Sequence, residues 1–183
     1  MNVGLRIVAV GSNELIAEEV LNAVKVIIGD IAHITLATTA SVQDDCGGDF
    51  FVCAVTQREP LSKVIPLEKL IVLDLRPTSE FFVQVSRIPS GETVYIFNSN
   101  IHYAQLLKKS CEAVNIRDVH FVPIAYEDMP SEEVTGKLRQ AKYIIGVGKL
   151  VGKEVLLSEK YKTYLRSDVV IIGNTRVATM QSA

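Results

Sequence analysis

The chain has 183 residues, 48% of them apolar, and carries 19 basic against 21 acidic side chains for a net charge of −2. That balance excludes disorder and nucleic-acid binding by bulk charge, and 7% aromatics without a tryptophan give no stacking platform for bases. No apolar run approaches the ~20 residues of a membrane helix, and Met1-Asn2-Val3-Gly4-Leu5-Arg6 lacks the regions of a signal peptide, so the expectation is a cytoplasmic protein with no membrane contact.

Short β-branched runs alternate with amphipathic stretches throughout, the pattern of an α/β protein with parallel strands. Leu5 to Val10 does not alternate and predicts a strand buried on both faces. Gly11-Ser12-Asn13 turns the chain into a helix with Ile16, Val20, Ala23, Val24, Ile27 and Ile28 on one stripe, N-capped by Ser12 or Asn13. Strands follow at Ile31 to Ala37, Phe50 to Val55 and Leu70 to Leu73, with a weak helical piece after Pro60 and a helix from Ser79 to Ile88.

The same order then begins again. Thr93 to Phe97 predicts a strand, Asn98-Ser99-Asn100 a turn, and Ala104, Leu107, Cys111 and Val114 the stripe of a helix. Val119 to Ile124 is a strand, Pro130-Ser131-Glu132-Glu133 opens a helix, and Tyr143 to Val147 is a further strand. Leu150 to Tyr164 predicts mostly helix, Val169 to Ile172 a strand, and Thr175 onward a helix. Equivalent strands are offset by 88, 88, 93 and 99 residues, which points to an internal duplication: two tandem Rossmann-like parallel-sheet lobes, 1–89 and 90–183, with a cleft between them. One continuous eight-stranded sheet is the alternative. The final helix runs out after about two turns without a stop signal, so the sequence reads as a domain cut from a longer chain.

Ligands of parallel α/β sheets sit beyond the carboxyl ends of the strands. The turns there supply the candidate ligand-binding residues Ser12, Asn13, Thr56, Arg58, Arg76, Thr78, Asn98, Ser99, Asn100, His102, Lys149 and Arg176. Ser12-Asn13 and Asn98-Ser99-Asn100 hold equivalent places before helices whose free N–H groups favour anions, although both serve equally as plain caps. Arg58, Arg76, Lys149 and Arg176 could surround a small anion. Gly146-Val147-Gly148-Lys149-Leu150-Val151-Gly152 misses the dinucleotide fingerprint because its last glycine is one residue late, and no Ser or Thr follows Lys149 or Lys153 to make a P-loop.

No nucleophile elbow, zincin or kinase signature is present. His33, His102 and His120 are scattered, and only His102 stands at a turn that opens a helix. A paired-cysteine racemase needs a Cys at a strand end in each half, whereas Cys53 falls within a strand and Cys111 on a helix. The three cysteines, Cys46 included, read as reduced thiols, with a metal at Cys46 a minor alternative. No catalytic group, metal or cofactor is therefore expected.

The run Arg6-Ile7-Val8-Ala9-Val10-Gly11-Ser12, the acid-then-apolar Asp49-Phe50-Phe51-Val52-Cys53, Tyr143-Ile144-Ile145-Gly146-Val147-Gly148 and the closing Asn174-Thr175-Arg176-Val177-Ala178 carry a resemblance. The chain resembles, over essentially its whole length, the N-terminal receptor domain of NtrC-type, sigma-54-dependent bacterial transcriptional activators, the kind represented by the propionate-catabolism activator. It departs from that family's glycine-rich strand ends at Thr56-Gln57-Arg58. The resemblance implies a ligand-sensing domain that binds a small-molecule effector between lobes, contacts no nucleic acid itself, and signals through its C-terminal helix to PAS and AAA+ domains of the same regulator. A nucleotide- or sugar-phosphate-dependent enzyme fragment using Gly146 to Gly152 is the rival class, and homodimerisation through the helix Val177 to Ala183 is left open.

Overall fold

In the computed structural model, which describes residues 4–43 and 47–179, the first apolar run becomes β1 (Leu5–Gly11). Its Ile7 and Ala9 pack with Val20 and Val24 on one side, and its Val8 and Val10 with Val42, Leu61 and Ile65 on the other. Burial on both faces is why the strand shows no polar alternation. It is central in a parallel sheet with β2 (Ala32–Thr38), β3 (Phe50–Ala54) and β4 (Leu70–Leu73), in the order β2-β1-β3-β4. α1 (Glu14–Ile28) buries Ile16, Ala17, Val20 and Val24, and the short α2 (Arg58–Leu61) buries Leu61. Ahead of β3, the Asp49 carboxylate accepts the Arg6 backbone N–H at 2.8 Å and pairs with its guanidinium at 3.4 Å. These two bonds hold the Asp49 carboxyl below the usual carboxylate range.

The second sheet repeats this order. β6 (Thr93–Asn98), β7 (His120–Ala125), β8 (Tyr143–Val147) and β9 (Val170–Asn174) run parallel as β7-β6-β8-β9. α3 (Ser79–Ser86), α4 (Ile101–Ala113), α5 (Ser131–Gln140) and the single turn α6 (Gly148–Val151) accompany it. On the face bearing α5, Tyr95, Phe97, Ile144, Val134, Leu138, Leu156 and Tyr161 share one apolar cluster. The fold is thus α/β with two parallel four-stranded sheets flanked by helices.

Three expectations change. The chain divides into a unit built from the residues through Arg76 together with those from Val177, and a second unit, Pro77–Arg176. The division falls at 76–77 rather than at 89–90 because α3 packs on β9 and so belongs with the second sheet. Next, Leu150 to Tyr164 is helical only in α6 and in a 3-10 turn, Lys162–Tyr164. Between them the backbone closes turns, Leu156 N–H onto Leu150 O at 3.0 Å and Leu157 N–H onto Gly152 O at 2.9 Å, and still buries Leu156 and Tyr161.

Finally, the stretch after Thr175 is β10 (Arg176–Ala178), which pairs with the unforeseen strand β5 (Leu75–Pro77). Thr175, Val177 and Thr179 are β-branched and alternate with Arg176 and Ala178, a period of two that suits a strand and not a helix. Thr179 N–H donates to Asp74 O and Thr78 N–H to Thr175 O, each at 3.2 Å, so the two strands run in opposite directions. Both crossings between units, 76–77 and 176–177, fall within this ladder. The remainder of the expected C-terminal helix, from Met180, lies outside the described residues.

Gly11 ends β1 where α1 begins, and a Cβ there would stand 2.2 Å from Ala17 N and 2.6 Å from Ile16 C. These atoms are helix backbone and have no room to yield. Gly11→Ala is expected to destabilise the chain by at least ~2 kcal/mol, read as a lower urea midpoint at unchanged slope.

Candidate functional site

The register Asn98↔Ala125, Phe97↔Gly146 and Val147↔Asn174 brings the carboxyl ends of all four strands of the second sheet to one level. Side chains alternate along a strand, so Phe97 facing the α5 cluster places Asn98 on the opposite face, together with Val147 and Asn174. Asn98 and Asn174 are each only 2% exposed.

The turn after β6 is closely bonded. Asn98 Oδ1 accepts the Asn100 N–H at 3.4 Å and the Ser99 hydroxyl at 3.3 Å, and the Asn100 amide reaches Ser99 Oγ at 3.3 Å. Asn100 Oδ1 caps α4 by accepting the Tyr103 N–H at 2.9 Å. The Asp128 carboxylate takes the Ile101 N–H at 2.7 Å. An acid of the protein's own thus already occupies the position where the helix N-terminus would attract an anion. Behind the turn, the Tyr126 ring stacks on Phe97 at 5.1 Å, and burial pushes the Tyr126 phenol up to about 12.

At the far end of the sheet the situation differs. Asn174 Nδ2 and Oδ1 are both buried and neither has a hydrogen-bond partner. Each such group costs about 1–3 kcal/mol, so an amide in this position calls for a specific reason. Two residues on, Arg176 is buried at 7% exposure and holds its guanidinium 4.6 Å over the Tyr103 ring in the first turn of α4, a favourable cation–π geometry.

The first unit has a comparable turn with the opposite outcome. Asn13 Oδ1 caps α1 from Ile16 N–H at 3.1 Å. Thr39 Oγ1 lies 2.6 Å from Gln57 Oε1 and 3.2 Å from Gly11 O, and the buried Gln57 amide donates to Thr56 Oγ1 at 3.3 Å. Here the polar groups satisfy one another.

Of the residues expected to bind a ligand, Asn98, Ser99, Asn100 and Arg176 gather in the second unit, while Ser12, Asn13 and Thr56 lie around the first unit's turn. Thr78 precedes α3 and bonds through its N–H to Thr175. His102 is exposed, as are His33 and His120. Lys149 is half-buried in α6, Arg58 is exposed, and Arg76 is exposed and paired with Asp74 at 2.6 Å. Among the four cations proposed to converge, Arg176 alone is buried.

The glycines of the near-fingerprint loop serve packing. A Cβ on Gly146 would meet Phe97 O at 2.4 Å, one on Gly148 would meet Asn174 O at 3.2 Å, and one on Gly152 would meet Gly148 O at 2.9 Å. They let β8 and α6 approach their neighbours.

No family model, curated protein or solved structure matches the chain. The site therefore rests on its own geometry. Sequence reasoning took only Arg176 from the turn Asn174-Thr175-Arg176 and passed over Asn174, Tyr103 and Asp128. A polar residue two positions beyond Ile172, on the same strand face, was the available signal for Asn174. Among the described residues, no cluster of three or more His, Cys, Asp or Glu could hold a metal ion; Cys46 lies outside those residues.

Cys53 and Cys111 are buried free thiols, and burial raises each to about 12. At pH 8 both stay protonated in the folded chain, and only the thiolate reacts. Iodoacetamide at that pH is expected to leave both unmodified in the native protein and to alkylate both in denaturant, as read by peptide mass mapping.

Proposed function

We propose that this chain is the ligand-sensing part of a cytoplasmic bacterial transcriptional regulator of the NtrC type. It binds a small metabolite at the carboxyl strand ends of the second unit and passes occupancy on to the rest of the regulator through the β9–β10 segment. The observation that carries this reading is the buried, unpartnered amide of Asn174, on the strand that also presents the buried Arg176 and continues directly into the crossing at 176–177. Amides and a guanidinium dominate this spot, and they are groups that recognise rather than transform.

Magnitudes fit a sensor. A ligand shifts a conformational equilibrium only by its differential affinity for the two states. Satisfying two buried polar atoms recovers about 2–6 kcal/mol in all, enough to supply the coupling of about 1–3 kcal/mol typical of allosteric pairs. Because Asn174 and Arg176 stand next to the crossing, a ligand that orders them acts on the backbone that joins the units.

The test is isothermal titration of the 183-residue chain against a metabolite panel. A member of the panel is expected to bind saturably, and Arg176→Ala to weaken it by about tenfold or more. Arg176→Lys, which keeps the charge but loses the planar fork, is expected to fall between. A silent panel, or affinity unchanged in Arg176→Ala, contradicts the proposal.

A further inference from the structure

We infer that the ligand group seated at Asn174 is a neutral edge with a hydrogen-bond donor beside an acceptor, as in a carboxamide or the edge of a nucleobase, and not a bare carboxylate or phosphate. This rests on the sensing site proposed above and names the chemistry it selects.

A side-chain amide offers donors at Nδ2 and an acceptor at Oδ1, and at Asn174 both ends are buried without a partner. A carboxylate or a fully ionised phosphate ester carries acceptors alone. It would satisfy Nδ2 and turn its lone pairs toward Oδ1, leaving one penalty in place and adding a repulsion. A carboxamide or a nucleobase edge pairs with both ends at once, the bidentate geometry by which asparagine reads adenine. Exchanging Oδ1 and Nδ2 by rotating the amide changes nothing, because both are unpartnered.

The α4 N-terminus offers an anion no free seat, and the buried Arg176 nearby can donate to a neutral acceptor as well as to an anion. The α4 N-terminus is filled by Asp128 on the Ile101 N–H and by Asn100 on the Tyr103 N–H. Asn98, level with Asn174 and two strands away, already uses its Oδ1 for the Asn100 N–H and the Ser99 hydroxyl. Among the described residues at these strand ends, the amide of Asn174 keeps one donor side and one acceptor side to offer.

Thermal unfolding of the 183-residue chain tests this, since a ligand of the native state raises Tm. The probes are acetamide and nicotinamide for a carboxamide, adenosine for a nucleobase, and succinate and, at pH 8, a simple phosphate monoester (methyl phosphate) as acceptor-only anions. At least one of the first three is expected to raise Tm saturably. Asn174→Leu should abolish that rise, and Asn174→Asp, which offers acceptors only, should weaken it by about tenfold or more.

Without any probe, Asn174→Leu should melt at or above the wild-type temperature, because an apolar side chain of similar shape removes an unmet polar group. A Tm several degrees lower in Asn174→Leu would mean that the amide is satisfied in the free protein, and would overturn the inference. A rise with succinate or methyl phosphate alone, retained in Asn174→Leu, overturns it while leaving the sensing function standing. No rise with any probe overturns it as well, and the sensing function falls with it only if the wider titration panel is also silent.

Discussion

A parallel strand with both faces covered has no side on which to keep a polar residue, and the arrangement of this protein follows from that constraint. Val94 to Phe97, Ile144 to Val147 and Val8 to Val10 are buried without interruption. Polar chemistry is thereby driven to the strand termini, where the helix starts also need partners for their first N–H groups. In each unit the same turn answers both demands. Asn13 and Asn100 adopt extended backbone and cap α1 and α4 with their side-chain oxygens.

The two units then diverge in how fully that turn is satisfied. In the first, Thr39, Gln57, Thr56 and the Gly11 carbonyl close a bonded set. In the second, Asn98, Ser99, Asn100 and Asp128 do the same around α4, but β9 carries one more polar residue than the turn can use. Buried polar groups are bonded as a rule, so an amide idle at both ends is the feature that sets the second sheet apart. It lies where ligands of open α/β sheets are found.

The sequence made the strands and caps legible and hid the crossings. β4 and β8 match their expected bounds, and Val134, Leu138, Ala104, Leu107 and Cys111 are buried as their helical spacing requires. Strength of period explains this: long apolar runs and regular stripes outweigh local exceptions. β5 and β10 are three residues each, so the alternation around β10 spans too few residues to outweigh a helical reading, and their pairing joins positions about a hundred residues apart. Leu150 to Tyr164 deceived for another reason, because its apolar residues do reach the core but through turns, and burial alone does not distinguish a turn from a helix. At the candidate site, the caps were visible as residue types. The isolation of Asn174 was not, since whether an amide is satisfied depends on neighbours that only the fold assembles.

The ladder of β5 and β10 gives the chain a nested order. Pro77–Arg176 is continuous in sequence, and its two ends are tied together by the Thr78–Thr175 bond, the anatomy of an insertion lodged inside a host. The host's core, in contrast, includes Leu73 and Leu75 from one side of the insertion and Ala178 from the other. During synthesis from the N-terminus, the strands β6 to β9 of the inserted unit are all made before the host receives β10. The host must hold an unpaired β5 while about a hundred residues emerge, and the closure entropy of so long a loop is recovered only when β10 arrives. Maturation of the first unit thus waits on a strand made about a hundred residues after its own sheet.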